Sequence, residues 1–95
     1  MPHDSYYDTA KHLRWRDKVL RLDKYLCQMC IRYGKRTAAS HAHHILPRSM
    51  HPEHQTKIEN GIALCAACHN AIEPRDGEYR PPEWMLRRVE RLTRR

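Results

Sequence analysis

Four cysteines constrain this chain more than any other feature. Cys27, Cys30, Cys65 and Cys68 form the pattern Cys-x2-Cys-x34-Cys-x2-Cys within 95 residues. Two intervening residues let one backbone turn aim both sulfurs of a pair at the same point. The two pairs therefore offer four thiolates to one tetrahedral ion, the arrangement that Zn2+ prefers. A chain this short buries only a modest apolar core, and this one lacks Phe and is 40% apolar, so a bound metal is the staple it needs. Disulfides are the competing reading. A redox role would need only one Cys-x-x-Cys pair, beside a βαβ pattern that this chain lacks. Four sulfurs leave no open coordination position, so the expected zinc is structural and its binding free energy contributes to folding.

The N-terminal stretch from Met1 to His12 has no apolar segment of the kind a secretory signal requires, and no stretch approaches the length of a membrane span. The expectation is a soluble, cytoplasmic protein, and in a reducing compartment paired cysteines are more often metal ligands than disulfides. A formal net charge of +7 and an isoelectric point near 9.6 imply a polyanionic partner, because Lys and Arg release counterions from phosphates and steer association with nucleic acid. The bland alternative is a solvated basic surface. An anionic membrane fits less well, since neither basic helix shows a wide apolar face.

Along the chain, residues 1 to 8 read as a loosely attached arm. From Ala10 to Lys24, Leu13, Val19, Leu20 and Leu22 alternate with Lys11, Arg14, Arg16, Lys18 and Arg21 in a helical pattern, giving a basic lead helix. Gly34 supplies a tight turn after Cys30. A short strand fits Thr37 to His44, a long loop Leu46 to Asn60, and a second strand Ile62 to Leu64. Ala66 to Ile72 should form a short helix that Pro74 and Gly77 end, and Glu83 to Arg94 a second basic helix after Pro81 and Pro82. The whole chain reads as a single domain, with Trp15 and Trp84 in its core.

Eight histidines are a high count, and three of them, His43, His44 and His69, sit at the edges of the unit pinned between the cysteine pairs. His69 follows Cys68 directly, and adjacent side chains on a helix diverge by about 100 degrees, so one can face zinc while the other faces outward. His43 and His44 are adjacent on a strand and leave by opposite faces, which suits two different tasks. One imidazole can bind a cation while the other, neutral near pH 7, accepts a proton from water. His3, His12, His41, His51 and His54 read as solvated surface, with His51 and His54 in the long loop as the two that could touch a substrate.

These residues resemble the HNH, or ββα-metal, endonucleases. The likeness covers roughly Trp15 to Glu73: a basic lead helix ending in Cys27-Gln-Met-Cys30, then Ala42-His43-His44-Ile45-Leu46-Pro47, then Glu59-Asn60-Gly61-Ile62-Ala63-Leu64-Cys65 and Cys68-His69-Asn70. It implies a small α+β fold, a zinc-stapled ββα-metal finger over about residues 27 to 73, flanked by basic N- and C-terminal helices. By resemblance His43 and His69 hold a catalytic divalent cation, His44 is the general base, and Asn60 hydrogen-bonds loop backbone and so holds that base in place. The family's first ligand is often Asp. With His43 there instead, Mn2+, Ni2+, Co2+ or Zn2+ are accommodated as well as Mg2+.

The resemblance further implies a DNA partner, double-stranded, cut by phosphodiester hydrolysis or nicking, in settings such as phage packaging, restriction and mobile elements. Arg14, Arg16, Arg48, Arg87, Arg88 and Arg91 are the expected phosphate contacts, which position a duplex without reading bases. A non-catalytic zinc module that grips nucleic acid would not need His43, His44, Asn60 and His69, and a protein-interaction adaptor would show no salt-dependent affinity for DNA. Neither specificity nor the choice between monomer and homodimer follows from the sequence.

Overall fold

The computed structural model describes residues 10–72 and 81–93; the arm expected at residues 1 to 8, the stop at Pro74 and Gly77, and Arg94 lie outside them. The elements run α1 (Ala10–Leu22), α2 (Gln28–Arg32), β1 (His41–His44), short 3-10 turns at Pro52–His54 and Ile58–Asn60, β2 (Gly61–Leu64) and α3 (Ala66–Ile72). A C-terminal helical segment follows as α4 (Glu83–Leu86), a 3-10 turn (Arg87–Val89) and α5 (Glu90–Thr93). The result is a small α+β fold around a two-stranded antiparallel sheet. In that sheet His41 pairs with Leu64, Ala42 with Ala63, His43 with Ile62 and His44 with Gly61.

α1 lies where the lead helix was expected, but with a different inward face. The buried residues are His12, Trp15, Val19 and Leu20, spaced at helical intervals of three and four. Leu13 and Leu22 are exposed, at 56% and 62%, because they fall off that stripe. The stripe packs on the sheet at Gly61: a Cβ built there would lie 2.3 Å from Val19 Cγ2 and 2.9 Å from Trp15 Cζ2. Glycine is required here for approach of the helix, since the backbone is ordinary extended chain with φ −114°.

After α1 the chain reverses through Lys24 and Tyr25, both at positive φ (58° and 60°), a left-handed conformation that costs roughly 1–2 kcal/mol per non-glycine residue. The reversal delivers Leu26 to an isolated antiparallel bridge with Ala38, reinforced by Cys27 N–H to Thr37 O at 2.8 Å and Ala39 N–H to Tyr25 O at 2.8 Å. That pairing corrects the expected strand from Thr37. Residues 37–39 are spent on the cysteine knuckle, and the sheet strand begins only at His41. Gly34, at φ +80°, makes the expected turn.

The core gathers Cys27, Ile45, Leu46, Ile62, Leu64 and Cys65 from the finger with Met85 and Val89 from the C-terminal segment. Trp15 is 2% exposed, in the core as expected. Trp84 is only partly buried against it and lies under the Arg32 guanidinium, 4.6 Å from its ring centre. The C-terminal segment is locked by Asp23. One carboxylate oxygen accepts the Ala63 N–H at 2.9 Å and the other pairs with Arg88. Asp23 is 7% exposed, so a single buried carboxylate ties the end of α1, the outer edge of β2 and the last helical segment together.

Candidate functional site

Two clusters of side chains of metal-ligating type are assembled around the sheet. The first is the cysteine tetrad, whose four sulfurs all lie within 4.8 Å of one another as free thiols. Cys27 caps α2 and its sulfur accepts the Cys30 N–H, a consequence of the two-residue spacing. Cys65 ends β2, and Cys68 stands one turn into α3. Cys30 Sγ lies 3.9 Å from Cys65 Sγ and 3.7 Å from Cys68 Sγ. Tetrahedral Zn–S bonds of about 2.3 Å require sulfurs about 3.8 Å apart, so the tetrad is already set to the span of a zinc site.

The thiols respond to one another electrostatically. The backbone N–H of Cys68 and thiol hydrogen bonds from Cys68, Cys27 and Cys30 pull Cys65 down to about 7 against the effect of burial. Burial, and then Cys65, Cys27 and Cys30, push Cys68 up. Once one sulfur ionises, the others resist unless a cation joins them.

The second cluster is made of imidazoles. β1 sends His43 toward α3, where its ring meets that of His69 edge-on at 5.4 Å between centres. Two nitrogens bound to one ion at about 2.0–2.1 Å place their rings at such a separation. His43 is 7% exposed, and burial first, then the charges of His69 and His44, lowers its pKa to about 4. It is therefore the neutral base that a metal needs at pH 7. Among the described residues no third His, Cys, Asp or Glu closes with this pair into a ligand trio, so further ligands would come from water or phosphate.

His44 leaves by the other face and enters a different environment. Its ring stacks on Trp15 at 4.1 Å and 8°, and Trp15 is held in turn by its indole N–H on Lys57 O at 2.8 Å. His44 Nε2 is 3.0 Å from the backbone oxygen of Gln55. A carbonyl can only accept, so Nε2 carries the hydrogen and Nδ1 keeps the lone pair. Burial lowers the His44 pKa to about 4, the Gln55 carbonyl opposing and His12 and Arg48 adding to the shift.

Asn60 closes the loop that makes this possible. Fully buried, it accepts the Leu46 N–H at 2.7 Å and donates to Leu46 O at 3.1 Å and His54 O at 3.2 Å. The two ends of segment 46–60 are thereby fixed to each other, and with them the Gln55 carbonyl that fixes His44.

His12 and His41, read as solvated surface, pack against other rings instead. His12 is 8% exposed, tilted against Trp15 at 5.7 Å and parallel to His44 at 6.3 Å. Burial, then Arg16 and Arg48, lowers its pKa. His41 stacks on His69 at 4.6 Å while Ser40 Oγ sits 2.8 Å from its Nδ1. Strand periodicity was the signal for His41, since it shares a face with His43 two residues on. The helical interval from His12 to Trp15 was the signal for His12.

The arginines divide. Arg14, Arg87 and Arg91 are exposed, Arg16 reaches Ser40 O at 3.1 Å, and Arg48 lies close enough to His12 and His44 to depress both. Arg88 departs from the expected phosphate contact: it is turned inward onto Asp23, where an opposite buried charge outweighs solvation.

The HNH endonuclease family model matches residues 27–75. A solved structure of the HNH endonuclease from the deep-sea thermophilic bacteriophage GVE2, with manganese ion, is similar at 36% identity and a TM-score of 0.68, covering 70% of this chain and 73% of that one. No curated relative matches the sequence significantly. No helix among the described residues is long and apolar enough to cross a membrane.

Proposed function

The chain belongs to the HNH endonuclease family, and from that premise we propose that it hydrolyses phosphodiester bonds of double-stranded DNA with His44 as general base. The observation that carries the reading is the clamp on His44: stacked on Trp15, with Nε2 committed to the Gln55 carbonyl and Nδ1 left basic. Nδ1 takes the proton of an attacking water and the water oxygen bonds to phosphorus as the leaving 3′ oxygen departs, giving 5′-phosphate and 3′-hydroxyl ends. A divalent cation on His43 and His69 would act as the Lewis acid that stabilises charge on the phosphoryl group and the leaving oxygen. The manganese in the similar phage structure and the close approach of the His43 and His69 rings support Mn2+, Mg2+, Ni2+ or a similar ion.

Asn60 acts through the loop as a positioning residue. The cysteine tetrad holds structural zinc, supported by the sulfur spacing, and keeps β2 and α3 aligned so that His69 faces His43. Arg14, Arg16, Arg48, Arg87 and Arg91 hold phosphates along the duplex. The test is incubation of supercoiled plasmid with Mg2+ or Mn2+, with and without EDTA. Nicked plasmid that disappears with EDTA and in His44→Ala supports the proposal; plasmid retarded on a gel but intact under every metal sinks it in favour of a non-catalytic binding module.

A further inference from the structure

A third group of metal-binding side chains lies in the loop between the strands, away from both clusters above. His51, Glu53 and His54 each offer one ligand atom, and these atoms all lie within 4.8 Å of one another. A Glu53 carboxylate oxygen sits 3.8 Å from His51 Nδ1 and 3.5 Å from His54 Nε2, and the two imidazoles lie nearly parallel across it, 6.1 Å apart at 20°. Backbone hydrogen bonds set this arrangement. His51 N–H reaches Pro47 O at 2.8 Å, His54 N–H reaches His51 O at 3.0 Å, and Lys57 N–H reaches His54 O at 3.1 Å, winding the segment into a single 3-10 turn. The turn puts the three side chains on one side, with His54 the most buried and Glu53 mostly exposed.

We propose that His51, Glu53 and His54 bind a divalent transition-metal ion that clamps the loop between the strands. Two imidazoles and one carboxylate select Zn2+, Co2+ or Ni2+ over Mg2+ and Ca2+, which favour all-oxygen ligands. Rotation of the exposed Glu53 and half-buried His51 side chains brings the donors to bonding range of one ion. Remaining positions are open to water. The clamp lies directly before Gln55, whose carbonyl holds His44, and includes His54, whose carbonyl accepts from Asn60. An ion there therefore stiffens the support of His44, a consequence that rests on the proposed role of His44; the site itself does not.

The test titrates Co2+ into the zinc-loaded full chain carrying His69→Ala, which keeps the tetrad filled, removes one ligand of the His43 pair and leaves the loop sequence unaltered. Binding is read from calorimetry and from paramagnetic broadening of histidine imidazole signals. At about one equivalent the His51 and His54 signals should broaden selectively. Adding Glu53→Gln, at an exposed position, or His51→Ala, at a half-buried one, should weaken binding at least about tenfold, as loss of a ligand must exceed the loss of a supporting hydrogen bond. Amide hydrogen exchange over residues 51–57 should slow with the ion in the parent and stay unchanged in Glu53→Gln. Sharp His51 and His54 signals, or a Glu53→Gln protein that binds Co2+ like its parent, would overturn the site. No cleavage is measured, so failure of the nuclease reading leaves this result intact.

Discussion

The cysteine tetrad and the histidine cluster are both built around the same short strand pair, yet they are built by different means. Each cysteine pair is a local object: two residues of spacing and one backbone turn aim both sulfurs, and only the meeting of two pairs needs the fold. Each imidazole of the candidate site instead depends on partners far along the chain. His44 is oriented by Trp15 and Gln55, 29 and 11 residues away in sequence, and His43 by His69. A local site tolerates little loss in its own residues and much around it; a site assembled from distant segments can be broken at positions that never touch substrate.

The largest effect should come from the tetrad. Cys65→Ser, or prolonged chelation, should leave the chain largely unfolded by circular dichroism, because apparent zinc-binding energies of about 10–16 kcal/mol exceed the whole stability of a small domain. A folded, chelator-treated protein would break the comparison by showing that the tetrad is not the staple. His44→Ala should separate chemistry from folding. Cleavage of plasmid should fall by about 10²–10⁴-fold, the ordinary contribution of a general base, while zinc content stays at the level of the parent.

Next in size is Asp23→Ala, which strands the Ala63 N–H and the Arg88 guanidinium. Removing one partner of such a buried pair costs about 3–5 kcal/mol, measurable as a drop in the urea midpoint. The tetrad should keep its metal until the global transition, because no tetrad ligand depends on Asp23. Gly61→Ala forces Val19 and Trp15 away from β2 and should cost about 1–3 kcal/mol by overpacking. It should also lower cleavage, through loss of the Trp15 stack on His44, whereas equal loss of stability at a site remote from Trp15 should not. Unchanged activity in Gly61→Ala would show that the stack is dispensable.

The smallest effect is on pH. An ordinary histidine near 6.5 would make cleavage rise between pH 5 and 8. With His44 lowered to about 4, the neutral base is present throughout that range, so single-turnover cleavage should be flat from pH 5 to 8 and fall only as pH approaches 4. Stability moves with the same sign. The unfolded chain takes up the proton near 6.5 and the folded chain only near 4, so the contribution of neutral His44 and His43 is complete above 6.5 and lost as pH falls toward 4. A cleavage rate climbing through 6.5 would mean that His44 is more solvated than its stack on Trp15 implies.

The sequence by itself determined the local pieces: two thiolate clips, a helix directly after Cys65, strands ending at His44 and Leu64, and three histidines set apart by motif order. These are legible because a turn, a strand face or a helical step is fixed by neighbours a few residues apart. Only the tertiary structure decided that His12 and His41 join the imidazole layers, that Asp23 and not phosphate receives Arg88, that Gly61 must lack a side chain, and that the His44 proton sits on Nε2. Each of those outcomes is a contact between segments eleven or more residues apart, where burial and stacking, rather than spacing, set the energy. A sequence records which residues are available for such contacts; packing selects which of them meet.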